Sequence, residues 1–203
     1  MVVMPLTIPV AHDFTCPWCW VGMLQAKKLI AQEGVEIDWK GYELWPEELA
    51  RPLPTAPTPP NPNRPPVPSR LDFLLIADTV ELPKVDKPPR MLSHNAHEAV
   101  EFAKASGKGF DFVEALYRAY WEHGANISDP AQLHNLAVEH GLDPVGLLKA
   151  IAERTYKAQI VGFDDPAYAS GIFNVPTFTI GGERYAEQPY VVLVNAVRAA
   201  KQS

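Results

Sequence analysis

Cysteine is nearly missing from this chain. Only Cys16 and Cys19 occur in 203 residues, and they share one short window. A secreted disulfide scaffold spreads its cysteines to staple distant segments, which two neighbouring cysteines cannot do. A zinc site built from four cysteines is excluded too. Positive charge is also short: 18 Lys and Arg stand against 24 Asp and Glu, for a formal net charge of -6, and no long basic run appears. Nucleic acid and anionic membrane surfaces are therefore poor partners. No apolar run approaches the roughly 20 residues of a membrane helix. The opening from Met1 to Pro5 has no basic segment, and His12 and Asp13 cut short any apolar region after it. No signal peptide is read, and a cytoplasmic protein is expected.

The chain does have enough apolar material for a core. It is 47% hydrophobic and 21% charged, which suits one compact domain, or one carrying a large insertion. Leu6 to Phe14 partly alternates and reads as a strand, with Pro9 limiting its pairing on one side. Pro17 suits a first helical position. Val21, Leu24, Lys28, Leu29 and Ile30 continue a helical stripe that Gly34 stops. Val35 to Leu44 alternates again, so the opening is β-α-β with the cysteines at the first strand-helix junction.

Residues 46–68 carry ten of the 21 prolines and predict an extended surface excursion, neither helix nor central strand. Leu71 to Ala77 is a short apolar stretch of undecided type. Helices are expected over Asn95 to Ala105 and Phe110 to Trp121. In the second, Phe112, Val113, Leu116, Tyr117 and Tyr120 form the apolar stripe. Further starts fall at Ser128-Asp129-Pro130, Asp143-Pro144 and Asp165-Pro166. Val175 to Ile180 reads as a strand begun by Pro176, Gly181-Gly182 as a tight turn, Glu183 to Tyr185 as a return strand, and Tyr190 to Ala200 as an amphipathic helix. This predicts an α/β fold of order β-α-β, helical insertion, β-β-α. Residues 1–45 and 171–203 form one domain, 46–68 a proline-rich surface segment, and 69–170 an inserted all-helical subdomain.

Cys16-Pro17-Trp18-Cys19 suits thiol-disulfide exchange, which needs one thiolate to attack and a second thiol to resolve the mixed disulfide. At a helix start the first sulfur meets unpaired N–H groups and the helix dipole, which favour an anion. The second sulfur lies a turn further in. Cys16 is the expected nucleophile and Cys19 the resolving thiol. Two other readings compete. A zinc site would have to borrow two of the six scattered histidines, of which only His94 and His97 cluster. Two inert core cysteines are the other reading. No metal and no resident cofactor are expected beyond a redox-active Cys16–Cys19 disulfide.

Several segments resemble the DsbA-like branch of the thioredoxin proteins, in its FrnE-type subgroup. They are residues 13–22 around the cysteines, Asn95-Ala96-His97, Ala119-Tyr120-Trp121-Glu122 with Ile127-Ser128-Asp129-Pro130, Gly171 to Phe178, and Gln188-Pro189. The resemblance implies a thioredoxin-like fold with an inserted helical subdomain and a cis-proline at Val175-Pro176 opposite the cysteines. It also implies activity as a disulfide oxidase, reductase or isomerase. The superfamily includes 2-hydroxychromene-2-carboxylate isomerase and kappa-class glutathione transferases, which typically carry serine at the position of Cys16 and lack the second cysteine. This chain departs from the pattern in its proline-rich segment and in Ala186-Glu187-Gln188, where small residues are usual.

The leading expectation is a protein disulfide oxidoreductase or isomerase. Pro17, Trp18, Val175 and Pro176 shape its site. His12 and Asp13 are candidates for proton transfer to and from Cys19. Asn95 and His97 are candidates for substrate contact, with a helix cap near Asn95 as the simpler account. Protein or small thiol and disulfide compounds are the expected partners, with glutathione as a candidate co-substrate. A glutathione-dependent isomerase or transferase and a non-enzymatic peptide-binding module are the alternatives. A homodimer is compatible with the pattern, although no heptad argues for one.

Overall fold

A computed structural model describes residues 5–46, 67–88, 91–162, 169 and 171–202. Most of the proline-rich segment and the helix expected at Asp165-Pro166 lie outside these residues.

Strand β1 (Thr7–His12), helix α1 (Pro17–Glu33) and strand β2 (Glu36–Glu43) form the opening unit. The two strands run parallel, with Ile8 opposite Ile37 and Val10 opposite Trp39, so the long helix serves as their crossover. Pro17 occupies the first turn of α1, where its missing N–H costs nothing. Gly34 ends the helix at φ 60, donating its N–H to the Ile30 carbonyl at 3.0 Å, a left-handed stop that glycine adopts without penalty.

Helix α2 (Arg70–Asp78) resolves the stretch whose type was undecided. A reciprocal cap starts it: Ser69 Oγ accepts from the Asp72 amide, and the Asp72 carboxylate accepts from the Ser69 amide. Helices α3 (His94–Ala105), α4 (Gly109–Trp121), α5 (Pro130–Glu139) and α6 (Pro144–Ala152) follow. Asp129 and Asp143 cap α5 and α6 by accepting from the amides of Ala131 and Val145. Asn95 is not a cap. Ser93 holds that position, and the Asn95 amide instead donates to the Ser128 carbonyl and accepts from Arg154. Its side chain ties the start of α3 to two later loops.

The inserted stretch is not wholly helical. After a short 3₁₀ turn (Lys157–Gln159), β3 (Val161–Gly162) pairs parallel with β2 through Tyr42 and Glu43. Two residues are too few for a period-2 pattern to register in sequence. Strands β4 (Thr177–Ile180) and β5 (Glu183–Ala186) are joined by Gly181 and Gly182, both at positive φ, as a two-residue hairpin requires. Helix α7 (Tyr190–Ala200) closes the fold.

The sheet order is β3-β2-β1-β4-β5, with β1 at the centre and β4 antiparallel to it. Pairing of β1 with β4 involves Val10 and Ala11, whereas Pro9 is in register only with β2. A residue without an N–H is thereby accommodated inside a central strand. Helices α3 and α4 pack on β2, and α7 packs on α1 and β4. Ile8, Trp39, Phe112 and Phe178 are buried between these layers, each contributing about 1.5–3 kcal/mol by leaving water. The end of β1 and the start of α1 are thereby fixed beneath the insertion.

Candidate active site

The turn from β1 into α1 is held by Asp13. One carboxylate oxygen accepts from the Thr15 amide at 2.9 Å and the Thr15 hydroxyl at 3.1 Å; the other accepts from the Leu44 amide at 2.7 Å. The side chain thus fastens the motif turn to the end of β2. Burial raises the Asp13 pKa, and the amides partly oppose that. With its acceptors committed, Asp13 acts here as a clamp.

Cys16 holds the N-cap position of α1 in extended backbone, and its carbonyl accepts from the amides of Cys19 and Trp20. Both thiols are free. Cys16 is 6% exposed and Cys19 fully buried. The Cys16 thiol points to the Val175 carbonyl at 3.5 Å, and the Val175-Pro176 bond is cis. Gly22, one turn beyond Trp18, lets α1 meet this loop: a Cβ there would stand 2.8 Å from Pro176 Cγ. Cys16, Cys19, Val175 and Pro176 are therefore gathered at one place.

Cys19 faces inward. Its sulfur accepts from the Asp13 amide at 3.5 Å. Burial, then the hydrogen bond with Cys16, drives its pKa well above the ordinary thiol value. Behind it stands Tyr117 of α4, whose hydroxyl donates to the Asp13 carbonyl at 3.3 Å and shares a 2.9 Å hydrogen bond with His12 Nδ1. Burial, then the nearby Cys19 and Cys16, raises the Tyr117 pKa well above the usual phenol value. Burial keeps the His12 ring neutral, its pKa well below the usual imidazole value. His97 packs edge-on to His12 with ring centroids 5.0 Å apart, and burial brings its pKa down to about 3.

His97 thus joins the inner side of the site, away from the mouth. Asn95 belongs elsewhere, in a separate cleft with Glu43, His94, Ser128 and Arg154. Trp18 is half-buried at the mouth. The Arg70 guanidinium lies 5.6 Å from the centre of its ring and pairs with Glu187 at 2.8 Å. Trp18, Arg70, Phe73, Glu187 and Pro189 line a cleft of about 360 Å³ beside the motif. Glu187, one of the departures from small residues, is what anchors Arg70 there. Tyr117 was hidden in the sequence because it sits in register with the apolar stripe of α4. Only its phenol oxygen departs from that stripe.

The chain matches the DSBA-like thioredoxin domain over residues 7–198. It is 30% identical over 188 residues to the uncharacterized protein YwbO of Bacillus subtilis, covering 88% of each chain. Among solved structures, a probable DsbA oxidoreductase from Streptomyces coelicolor superposes with a TM-score of 0.69 at 20% identity, covering 98% of this chain and 91% of the other. The cytosolic disulfide reductase DsbM of Pseudomonas aeruginosa gives 0.65 at 19% identity, covering 96% and 100%. At these identities the superpositions speak to the fold, while the domain match extends across nearly the whole sequence. With a pair of free thiols at the start of α1 and a cis-proline loop facing them, the chain belongs to the DsbA-like thioredoxin family.

Proposed function

We propose that the protein exchanges disulfides in the cytoplasm, reducing or isomerising protein disulfides through Cys16 and Cys19. The observation that carries this reading is the placement of two free thiols: Cys16 at a helix start beside the Val175 carbonyl, Cys19 directly behind it. Cys16 as thiolate attacks one sulfur of a substrate disulfide. A Cys16–substrate disulfide forms and the other substrate sulfur leaves as thiolate. Cys19, deprotonated, then attacks Cys16 sulfur, closing the Cys16–Cys19 disulfide and releasing the second substrate thiolate. Two electrons pass from the dithiol to the substrate. A thiol reductant such as glutathione restores the dithiol.

An extended substrate chain fits this reading, adding main-chain contacts beside Val175, while Trp18 and the neighbouring cleft take an apolar side chain. A reducing direction accords with a compartment that keeps dithiols largely reduced. Among the described residues no helix is long and apolar enough to cross a membrane.

Insulin-disulfide reduction driven by dithiothreitol tests the reading, comparing wild type with Cys16→Ser and Cys19→Ser. The wild type accelerates the reaction, Cys16→Ser abolishes the acceleration, and Cys19→Ser weakens it. A wild type that gives no acceleration refutes it.

A further inference from the structure

Helix α2 is fastened at both ends beside the redox motif. At its C-terminal end Asp78 accepts from the Gln25 side chain of α1 at 2.5 Å and from the Tyr190 amide at 2.9 Å. Pro189 stands at the N-cap of α7 and makes no capping hydrogen bond, so Asp78 supplies the acceptor from another helix. Gln25 also donates to the Gln188 carbonyl at 2.9 Å. At the other end Arg70 pairs with Glu187 at 2.8 Å. The Glu187 amide in turn donates to the Pro176 carbonyl at 3.1 Å. One residue thus ties α2 to the cis-proline loop. It does so from backbone at φ 53, a left-handed conformation uncommon outside glycine, asparagine and aspartate.

The cleft built by these contacts has apolar walls and a charged rim. Trp18, Phe73, Leu74, Ala77 and Pro189 supply the walls, and Arg70 and Glu187 are the two charged residues lining it. Solvent does not see the two charges equally. The Glu187 side chain is 11% exposed and that of Arg70 75%, so an approaching chain meets the cation first. Glu187 engages Nη2 of the guanidinium. Nε and Nη1 have no hydrogen-bond partner among the described residues, although a guanidinium carries five N–H donors in a rigid fork. The Trp18 ring lies 5.6 Å from the guanidinium carbon, which steadies an otherwise flexible side chain at the mouth. A planar cation with unused donors beside an apolar floor is suited to a carboxylate on a partly apolar chain.

We propose that Arg70 is a specificity-determining residue that selects acidic disulfide substrates. Its free donors take the carboxylate of an Asp or Glu within two residues of the reacting cysteine, while the apolar walls hold a neighbouring side chain. This preference rests on the exchange reading above and names the substrate class of that same site. Trp18 lies two positions beyond Cys16 and lines the cleft. An extended chain advances about 3.3 Å per residue, so residues flanking a substrate cysteine reach Arg70 from Cys16. Glu187 keeps its hold on Nη2, and Arg70 then bridges two carboxylates. A basic residue in the same place meets an exposed cation and is rejected. The exchange step itself is unchanged. Cys16 sulfur bonds to the substrate sulfur, and the other sulfur of the broken S–S bond leaves with the electron pair.

Peptides whose single cysteine is carried as a mixed disulfide with thiopyridine read this preference. Attack by Cys16 on the peptide sulfur expels thiopyridone, and its absorbance gives the rate constant of a single turnover of the reduced protein. Asp, Asn or Lys is placed in turn at each position up to two residues from the cysteine, in one otherwise unchanged sequence. Each rate is divided by that with free dithiothreitol, which removes the reactivity of the peptide itself. At the best position the wild type should favour Asp over Asn by about fivefold, the size an exposed charged contact supports, and should disfavour Lys. The ratio should shrink as salt rises. Arg70→Gln should make Asp and Asn equal, and Arg70→Glu should turn the preference to Lys, a gain that poor folding cannot produce. Equal rates for Asp, Asn and Lys at every position in the wild type, or an Asp preference kept by Arg70→Gln, overturns the assignment. Release of no thiopyridone from any peptide by the wild type overturns the exchange reading itself, a separate result.

Discussion

The Cys16 thiol and the Val175 carbonyl meet at 3.5 Å although 159 positions separate them in the chain. The contact joins the start of α1 to the loop before β4, and everything inserted between β2 and β4 leaves it intact. It also defines where a substrate sulfur must approach, since Cys19 is sealed behind it.

Gly22 sets how closely those two parts approach. Gly22→Ala would place a methyl 2.8 Å from the Pro176 ring, which cannot swing aside as a flexible chain end would. Overpacking of this kind costs about 1–3 kcal/mol. Thermal or denaturant unfolding should register that loss, and insulin reduction should slow as the loop is pushed from Cys16. Wild-type stability and activity in the variant would contradict the close contact.

Asp13 is predicted to act through position. Asp13→Ala removes the acceptor for the Thr15 and Leu44 amides, and each buried donor left alone costs about 1–3 kcal/mol. Stability should fall by roughly 2–4 kcal/mol, read by urea unfolding. Asp13→Asn keeps one carbonyl acceptor and should recover part of it.

The His94 ring is bound on both nitrogens, to Glu43 and Glu98 at 2.8 Å each. The hydrogen bond to Glu43 leads in raising its pKa, against burial and the nearby Arg154. A raised imidazole stabilises the fold fully below the unfolded value of ~6.5 and loses that contribution as pH climbs through the folded value. Unfolding free energies of wild type and His94→Gln should therefore differ most below pH ~6.5 and converge as pH climbs through the raised folded value. A gap independent of pH would contradict the bridge. On the acid side the sign reverses for His12 and His97, whose pKa values are lowered. Their contribution is complete above ~6.5 and is lost, by about 1.4 kcal/mol per pH unit for each ring, as pH falls through each ring's lowered value, about 3 for His97; Asp13, raised by burial, works against that decline.

Much of this site could be read from residues whose chemistry is local. The cysteine spacing, Pro17 at the helix start and the Gly181-Gly182 turn each dictate geometry within a few positions, so β1-α1-β2 and β4-β5 were legible. Pro176 needed the resemblance, because a sequence alone does not show a peptide isomer. Where the sequence was silent, long-range contact decides. Tyr117 looks like one more member of an apolar stripe until α4 is laid behind Cys19. Asn95 and His97 are two residues apart, yet the turn of α3 sends one to the Ser128 loop and the other to His12. The capping box of Ser69 and Asp72 follows a proline run, where the apolar stretch alone was too short to declare a helix. β3 is a strand only because Tyr42 and Glu43 are there to receive it.

Trapping the mixed disulfide tests the central claim most directly. Cys19→Ser should be incubated with a disulfide-containing peptide and the intact protein weighed by mass spectrometry, with the adduct mapped after digestion. The account predicts one peptide joined to Cys16, released by dithiothreitol, and no adduct on Cys16→Ser. An adduct confined to Cys19 in Cys16→Ser, or none on either variant while free thiol is still titratable, would contradict it.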